Sequence, residues 1–156
     1  MRAFLAWALL AAGCGAAGGP AEPQGSRSAP AQPDEVQDAG HDGYQIDVEA
    51  PAQVKAGQAV IARVSVQSRA PLHMNEDYPA KLRMTAPSGI ELDAPLLRRN
   101  DAERSDDSAL VFPVVFTPKA GHVGHTTLTG ELHFAVCGVA ECSPMRVPVE
   151  FSVEIT

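Results

Sequence analysis

Aromatic residues make up only 5% of this 156-residue chain, and its one tryptophan, Trp7, lies close to the N-terminus. That position excludes a domain built like those of antibodies, which packs a core tryptophan on a disulfide between its two sheets. Basic residues are scarce as well: 12 Lys and Arg stand against 19 Asp and Glu, with no basic run. Nucleic acid and anionic membrane surfaces are therefore poor partners. Beyond the N-terminus no apolar run approaches the roughly 18–20 residues of a membrane-spanning helix. Neither a Gly-x-Ser-x-Gly elbow nor a phosphate-binding loop occurs. Asp101, Glu103, Asp106 and Asp107 crowd the stretch from Arg98 to Ser108, but Arg98, Arg99 and Arg104 are mixed among them. That is the pattern of a solvated, exposed loop rather than of paired catalytic acids.

Cysteine is equally sparse, with three in all, and the odd number is informative. Residues 1–13 carry one basic residue, Arg2, and an apolar run from Ala3 to Ala12, the make-up of a short secretory signal. Leu10-Ala11-Ala12-Gly13-Cys14 resembles the lipobox of bacterial lipoproteins, in which small residues precede a cysteine that becomes the lipidated first residue. On that reading Cys14 is the lipid attachment site, and the chain is anchored in the bacterial cell envelope, facing the periplasm. Cys137 and Cys142 are then left to pair. Gly15, standing where an acidic residue would retain a lipoprotein inside, favours the outer membrane. The competing reading is an ordinary signal cleaved nearby, with Cys14 left as a free thiol. Residues 14–42, rich in Gly, Ala, Pro, Ser and Gln, hold too little apolar surface to fold and read as a tether. About 28 residues of such chain span roughly 30 Å as a coil and at most about 90 Å extended. A monomer with that reach meets partners at several distances from its anchor.

Residues 43–156 read as one all-β domain. Gln45 to Glu49 alternates, Ala59 to Val66 is a strand, and shorter strands follow at Lys81 to Met84 and Ile90 to Leu92. Val54 to Gln58, Leu72 to Pro79 and Pro87 to Gly89 read as turns or loops. Ala109 to Thr117 is a strand whose Pro113 requires an edge or a bulge. The C-terminal stretch is a long hairpin. Leu128, Gly130, Leu132, Phe134 and Val136 alternate with polar residues on one arm, as do Val147, Val149, Phe151, Val153 and Ile155 on the other. Placing Cys137 opposite Cys142 across the loop Gly138 to Glu141 sets Phe134 against Met145, Leu132 against Val147, Gly130 against Val149 and Leu128 against Phe151. Every inward residue then meets an apolar or small one, whereas a slip of one residue mixes the faces. Opposed residues have Cα atoms about 4.5–5.5 Å apart, within disulfide reach. By parity both sulfurs lie on the polar face, where a reactive pair belongs. About seven short strands without an amphipathic helix make an immunoglobulin-like antiparallel β-sandwich.

Phe134-Ala135-Val136-Cys137, four residues, then Cys142-Ser143-Pro144 and a closing apolar strand resemble the N-terminal domain of the thiol:disulfide interchange family DsbD. That resemblance implies an immunoglobulin-like periplasmic domain whose cysteine pair shuttles between dithiol and disulfide. It gives Cys137 and Cys142 the redox roles, a thioredoxin-like redox protein as partner, and no cofactor. Two alternatives stay open: a noncatalytic binding domain whose disulfide pins the hairpin, and a metal-binding lipoprotein. For the latter, His122 and His125 with His133, Cys137 and Cys142 suggest a metal site, and His73, Met74 and Met84 suggest copper. His133, four residues along a strand and so about 13 Å from Cys137, is too far to activate it, and Glu141 beside Cys142 disfavours a thiolate. A Cys14→Ser chain is expected to lose its membrane attachment when cells expressing each form are fractionated. A variant still processed and recovered with the membrane would remove the lipid reading.

Overall fold

The computed structural model describes residues 43–156; the signal, Cys14 and the tether lie outside the described residues. Eleven strands follow in order: β1 (Tyr44–Glu49), β2 (Gln53–Val54), β3 (Val60–Ser68), β4 (His73–Met74), β5 (Lys81–Thr85), β6 (Ile90–Leu92), β7 (Leu96–Arg98), β8 (Arg104–Ser105), β9 (Ala109–Pro118), β10 (Gly124–Cys137) and β11 (Cys142–Ile155). They form two sheets. One runs β1-β3-β9-β6 with β8 also on β9; the other runs β2-β11-β10-β5-β7 with β4 also on β10. The domain is an immunoglobulin-like β-sandwich. The long strands fall where alternation placed them. β4 and β8 lie within stretches that read as loops, and β2 and β7 each overlap such a stretch by one residue, because two or three residues cannot display a period. The charged stretch after Leu97 is therefore not a plain loop: it ends β7, makes a short 3-10 turn at Arg99–Asp101 and supplies β8.

β10 and β11 pair without a bulge from Gly124↔Ile155 to Cys137↔Cys142, in the register that face matching requires. Their inward residues make the core with the other sheet. Leu128, Leu132, Phe134, Phe151, Val153 and Ile155 join Val64, Val66, Phe112, Val114 and Phe116 in one buried cluster. Two aromatic contacts cross between the sheets: Tyr44 meets Phe134 edge-on at 4.9 Å, and Phe116 meets Phe151 at 6.0 Å. Each such pair adds about 0.5–1.5 kcal/mol beyond the area it buries.

Prolines sit where no ladder bond is lost. Pro113 pairs with Arg63 in a continuous register, so the strand carries no bulge. The carbonyls of Val111 and Val115 accept bonds from Glu103 and Asp93, so odd residues of β9 direct their backbone away from β3. On that side β8 covers residues 110 and 111 and β6 covers 116 to 118, which leaves Pro113 at an open stretch of edge. Pro144 and Pro148 obey the same rule. Glu154 and Thr156 donate their N–H groups to Ala52 and Val54, so even residues of β11 point outward, away from β10. Before Glu154 that edge has no partner strand among the described residues, and prolines at two of its outward positions deny an incoming strand its hydrogen bonds.

Gly130 is required by packing. A Cβ there would stand 2.4 Å from Met84 Sδ and 2.7 Å from the Arg83 carbonyl oxygen, a backbone atom that cannot swing aside. Gly130→Ala is therefore expected to cost about 1–3 kcal/mol. Urea unfolding should show a lower midpoint at unchanged slope; an unchanged midpoint would mean that the strands separate freely here.

Candidate functional site

The far end of the β10–β11 ladder carries the disulfide. Cys137 and Cys142 form a disulfide with S–S 1.94 Å and Cα–Cα 3.9 Å. Gly138 N–H donates to the Glu141 carbonyl at 2.9 Å, so the pair 138/141 is hydrogen-bonded and the pair 137/142 beside it is not. Non-hydrogen-bonded pairs bring opposed side chains closest, which is why this position takes a direct cross-strand bridge. Closing so short a loop contributes only about 2 kcal/mol through chain entropy. The ladder and the core below, not the sulfurs, hold the hairpin.

The two sulfurs are not equivalent. Alternation places both on the outer face, and the expectation was that both would be accessible; instead Cys137 is only 5% exposed. Cys142, by contrast, is exposed. The cause lies in the neighbouring strands. Cys142 begins an edge strand, whereas Cys137 ends a strand flanked on both sides, by β11 and by β4. Leu72, just before β4, closes over the turn: a Cβ on Gly138 would lie 3.3 Å from its Cδ2 atom. A shallow depression of about 440 Å³ opens there, lined by Leu72, Val136, Gly138, Val139, Ala140, Glu141 and Ser143. Val139 at its apex is fully exposed.

β4 brings His73, which the sequence offered only as a copper ligand, beside the cysteines. His73 pairs with Cys137, and Met74 with Val136. Met74 is buried and His73 exposed, so His73, Cys137 and Cys142 form one outward-facing row across three strands. Directly opposed Cβ atoms lie about 4.5–5.5 Å apart, far nearer than His133. Sequence proximity could not reveal His73, and a two-residue strand leaves no periodic signal. The segment carrying it is fastened at several points. Met74 N–H donates to the Asp107 carbonyl at 2.6 Å, and Asn75 N–H to the Ala135 carbonyl at 2.9 Å. Arg99 donates to the carbonyls of Asn75 (2.7 Å) and Tyr78 (3.1 Å) and to Ser105 Oγ (2.6 Å).

The other histidines are dispersed. His122 Nε2 lies 3.2 Å from Thr126 Oγ1, and the His122 ring fills the space beside Gly89. His125 is 3.9 Å from Glu154. His133 hydrogen-bonds Glu131, which holds that carboxyl below its ordinary range, with Arg146 and Lys81 adding to the effect and desolvation opposing it. Its stabilising contribution is present above the unfolded carboxylate value and is lost as pH falls through the lowered folded one. Met74 and Met84 are core residues, on the opposite face from His73. Among the described residues no group of three or more His, Cys, Asp or Glu side chains converges to hold a metal ion.

The fold and the bridge define a class: an immunoglobulin-like β-sandwich with a disulfide at an exposed hairpin tip. No family model and no curated protein matches the chain. Among solved structures, a cohesin module from a family 33 glycoside hydrolase of Clostridium perfringens aligns with TM-score 0.44 at 14% identity, over 72% of this chain and 96% of its own. AggA, the major subunit of aggregative adherence fimbriae type I from Escherichia coli, aligns with TM-score 0.38 at 7% identity, over 72% and 95%. At those scores neither likeness bears on what the chain does.

Differential exposure makes a chemical prediction. After gentle reduction and brief alkylation with limiting reagent, peptide mass spectrometry should find Cys142 modified several-fold more than Cys137. Equal labelling would mean that β4 and Leu72 do not shelter Cys137.

Proposed function

We propose that this chain is a membrane-anchored extracytoplasmic module of thiol–disulfide exchange, working through Cys137 and Cys142 in the manner its resemblance to the DsbD N-terminal domain implies. One observation carries the reading: the bridge closes the tip of a hairpin that the rest of the ladder already holds, so it can open without unfolding the domain. The partner is a thioredoxin-like protein with two thiols. Its thiolate attacks the exposed Cys142 sulfur, forming the mixed disulfide and expelling Cys137 as thiolate, which takes up a proton. The partner's second thiolate then attacks its own sulfur in the mixed bond and releases Cys142. Two electrons and two protons pass to this chain, and the partner leaves oxidised. The same steps run backward when a client disulfide is reduced. Lipidation of Cys14 and the tether of residues 14–42 would hold the module at the outer membrane, facing the periplasm, with reach toward its partners.

His73 supplies what the cysteines' own neighbours do not. Standing opposite Cys137 on the outer face, its ring N–H is in position to donate a hydrogen bond to the departing thiolate. A rival reading rests on two opposing features: Cys137 is buried, and Glu141 adjoins Cys142. Both disfavour thiolates, and a noncatalytic binding domain with a structural disulfide would show them too.

Trapping separates the two. A Cys137→Ala chain, with Cys142 free, should capture a thioredoxin-like protein as a mixed disulfide, and Cys142→Ala should capture little. The pair should titrate well above about −300 mV. His73→Ala should slow reduction by thioredoxin several-fold, because the departing thiolate loses a hydrogen-bond donor and a poorer leaving group departs more slowly. A bond resistant to reduction, with neither variant trapping a partner, would leave the binding-domain reading.

A further inference from the structure

One line across the outer face of the β2-β11-β10-β5-β7 sheet runs against the net charge of the chain. Arg98 is paired with Lys81, Lys81 with His133, and His133 with Arg146, so four basic side chains stand in one line across β7, β5, β10 and β11. Their sequence neighbours Leu97, Leu82, Leu132 and Val147 are buried, which fixes the line on the solvent side. The next line toward β11's far end adds Arg83, opposite Glu131. At a strand spacing of about 4.8 Å the row is roughly 14 Å long. Its acidic content is small. Glu131 binds His133 and lies 3.7 Å from Arg146, and Asp101 at the rim accepts the Arg98 backbone N–H at 2.7 Å. Among the described residues no ion pair within 4.0 Å engages Lys81, Arg83 or Arg98. In a chain of net charge −7 such a row is not a solubility device, since it works against the prevailing sign.

We infer that this row is the docking surface for an acidic patch on the protein that exchanges electrons with Cys137 and Cys142; the choice of partner rests on the function proposed above. The row lies four residues from the disulfide along β10 and β11, on the same outer face. At about 3.3 Å per residue that is roughly 13 Å, the distance at which a partner presenting its thiol to Cys142 lays its neighbouring surface on the sheet. Charge complementarity at that range accelerates encounter and selects among partners more than it tightens the final complex. A membrane surface fits less well, because lipid lying on this face would approach the disulfide that a partner must reach.

The probe is a pair of cysteine peptides identical except for a run of aspartates, or of asparagines, placed about 13 Å from the thiol. With the full-length chain at low salt, the aspartate peptide should reduce the disulfide at least about ten-fold faster than the asparagine peptide. That advantage should fade in about 0.5 M salt, where screening shortens to a few ångströms. The Lys81→Gln, Arg98→Gln, Arg146→Gln chain should lose the advantage while keeping its rate with the asparagine peptide. Equal rates for the two peptides, or an advantage that survives the triple change, would overturn the proposal. Binding is read separately in a Cys137→Ser, Cys142→Ser chain, where shifts of backbone resonances on β5, β7, β10 and β11 should follow the aspartate peptide alone. Such shifts support the docking surface even if neither peptide reduces the wild-type bond, an outcome that instead sinks the exchange reading. Row-dependent sedimentation with anionic vesicles, without a preference between peptides, would make this a lipid surface and refute the protein partner.

Discussion

The pairing of β10 with β11 is the constraint from which the rest of the domain follows. It runs unbroken from Gly124↔Ile155 to Cys137↔Cys142, so one register decides every face along its length. Inward residues from both strands reach the opposite sheet through Phe134 and Phe151, while outward residues arrange, in order, an acidic end, a basic row and the disulfide. A shift of one residue would send Phe134 and Leu132 into solvent and separate the cysteines. The core therefore enforces the register, and the register places the sulfurs.

That dependence explains what could be read from the chain. The hairpin was legible because its two faces differ at nearly every position, so Leu132 opposite Val147 and Cys137 opposite Cys142 follow from one choice of loop. The missing N–H of Pro113 called for an edge or a bulge, and the residue lies at the unpaired gap between β8 and β6. β4 was not legible, since His73-Met74 offers a single alternation embedded in polar residues. Its place is set by contacts distant in sequence: Met74 fills the core beneath Val136, and the Arg99 guanidinium fastens the segment that follows. The burial of Cys137 and the proximity of His73 both come from this strand, so the site was foreseen as a pair and found as a row of three. Likewise, parity assigns a side chain to a face but does not say what covers that face; only the second neighbour of a strand decides exposure.

Stability and reactivity are separated in this arrangement. Most of the free energy of the hairpin resides in buried aliphatic and aromatic side chains, with the disulfide contributing the small term of a short loop. Opening the bridge would leave the core and the rest of the ladder in place. Its two ends also differ in access: Cys142 faces solvent and Cys137 is buried.

The prolines on the free edge of β11 have a consequence for the way any macromolecule recognises this domain. With Pro144 and Pro148 at outward backbone positions, a visiting chain cannot be read through a continuous set of main-chain hydrogen bonds. Such bonds are largely blind to side-chain identity, so an edge that offered them would accept many extended segments alike. Discrimination is pushed onto the side chains of the face and the apex, where individual substitutions alter preference while the ladder beneath stays intact. Partner choice can then change by single steps, without the fold being renegotiated each time.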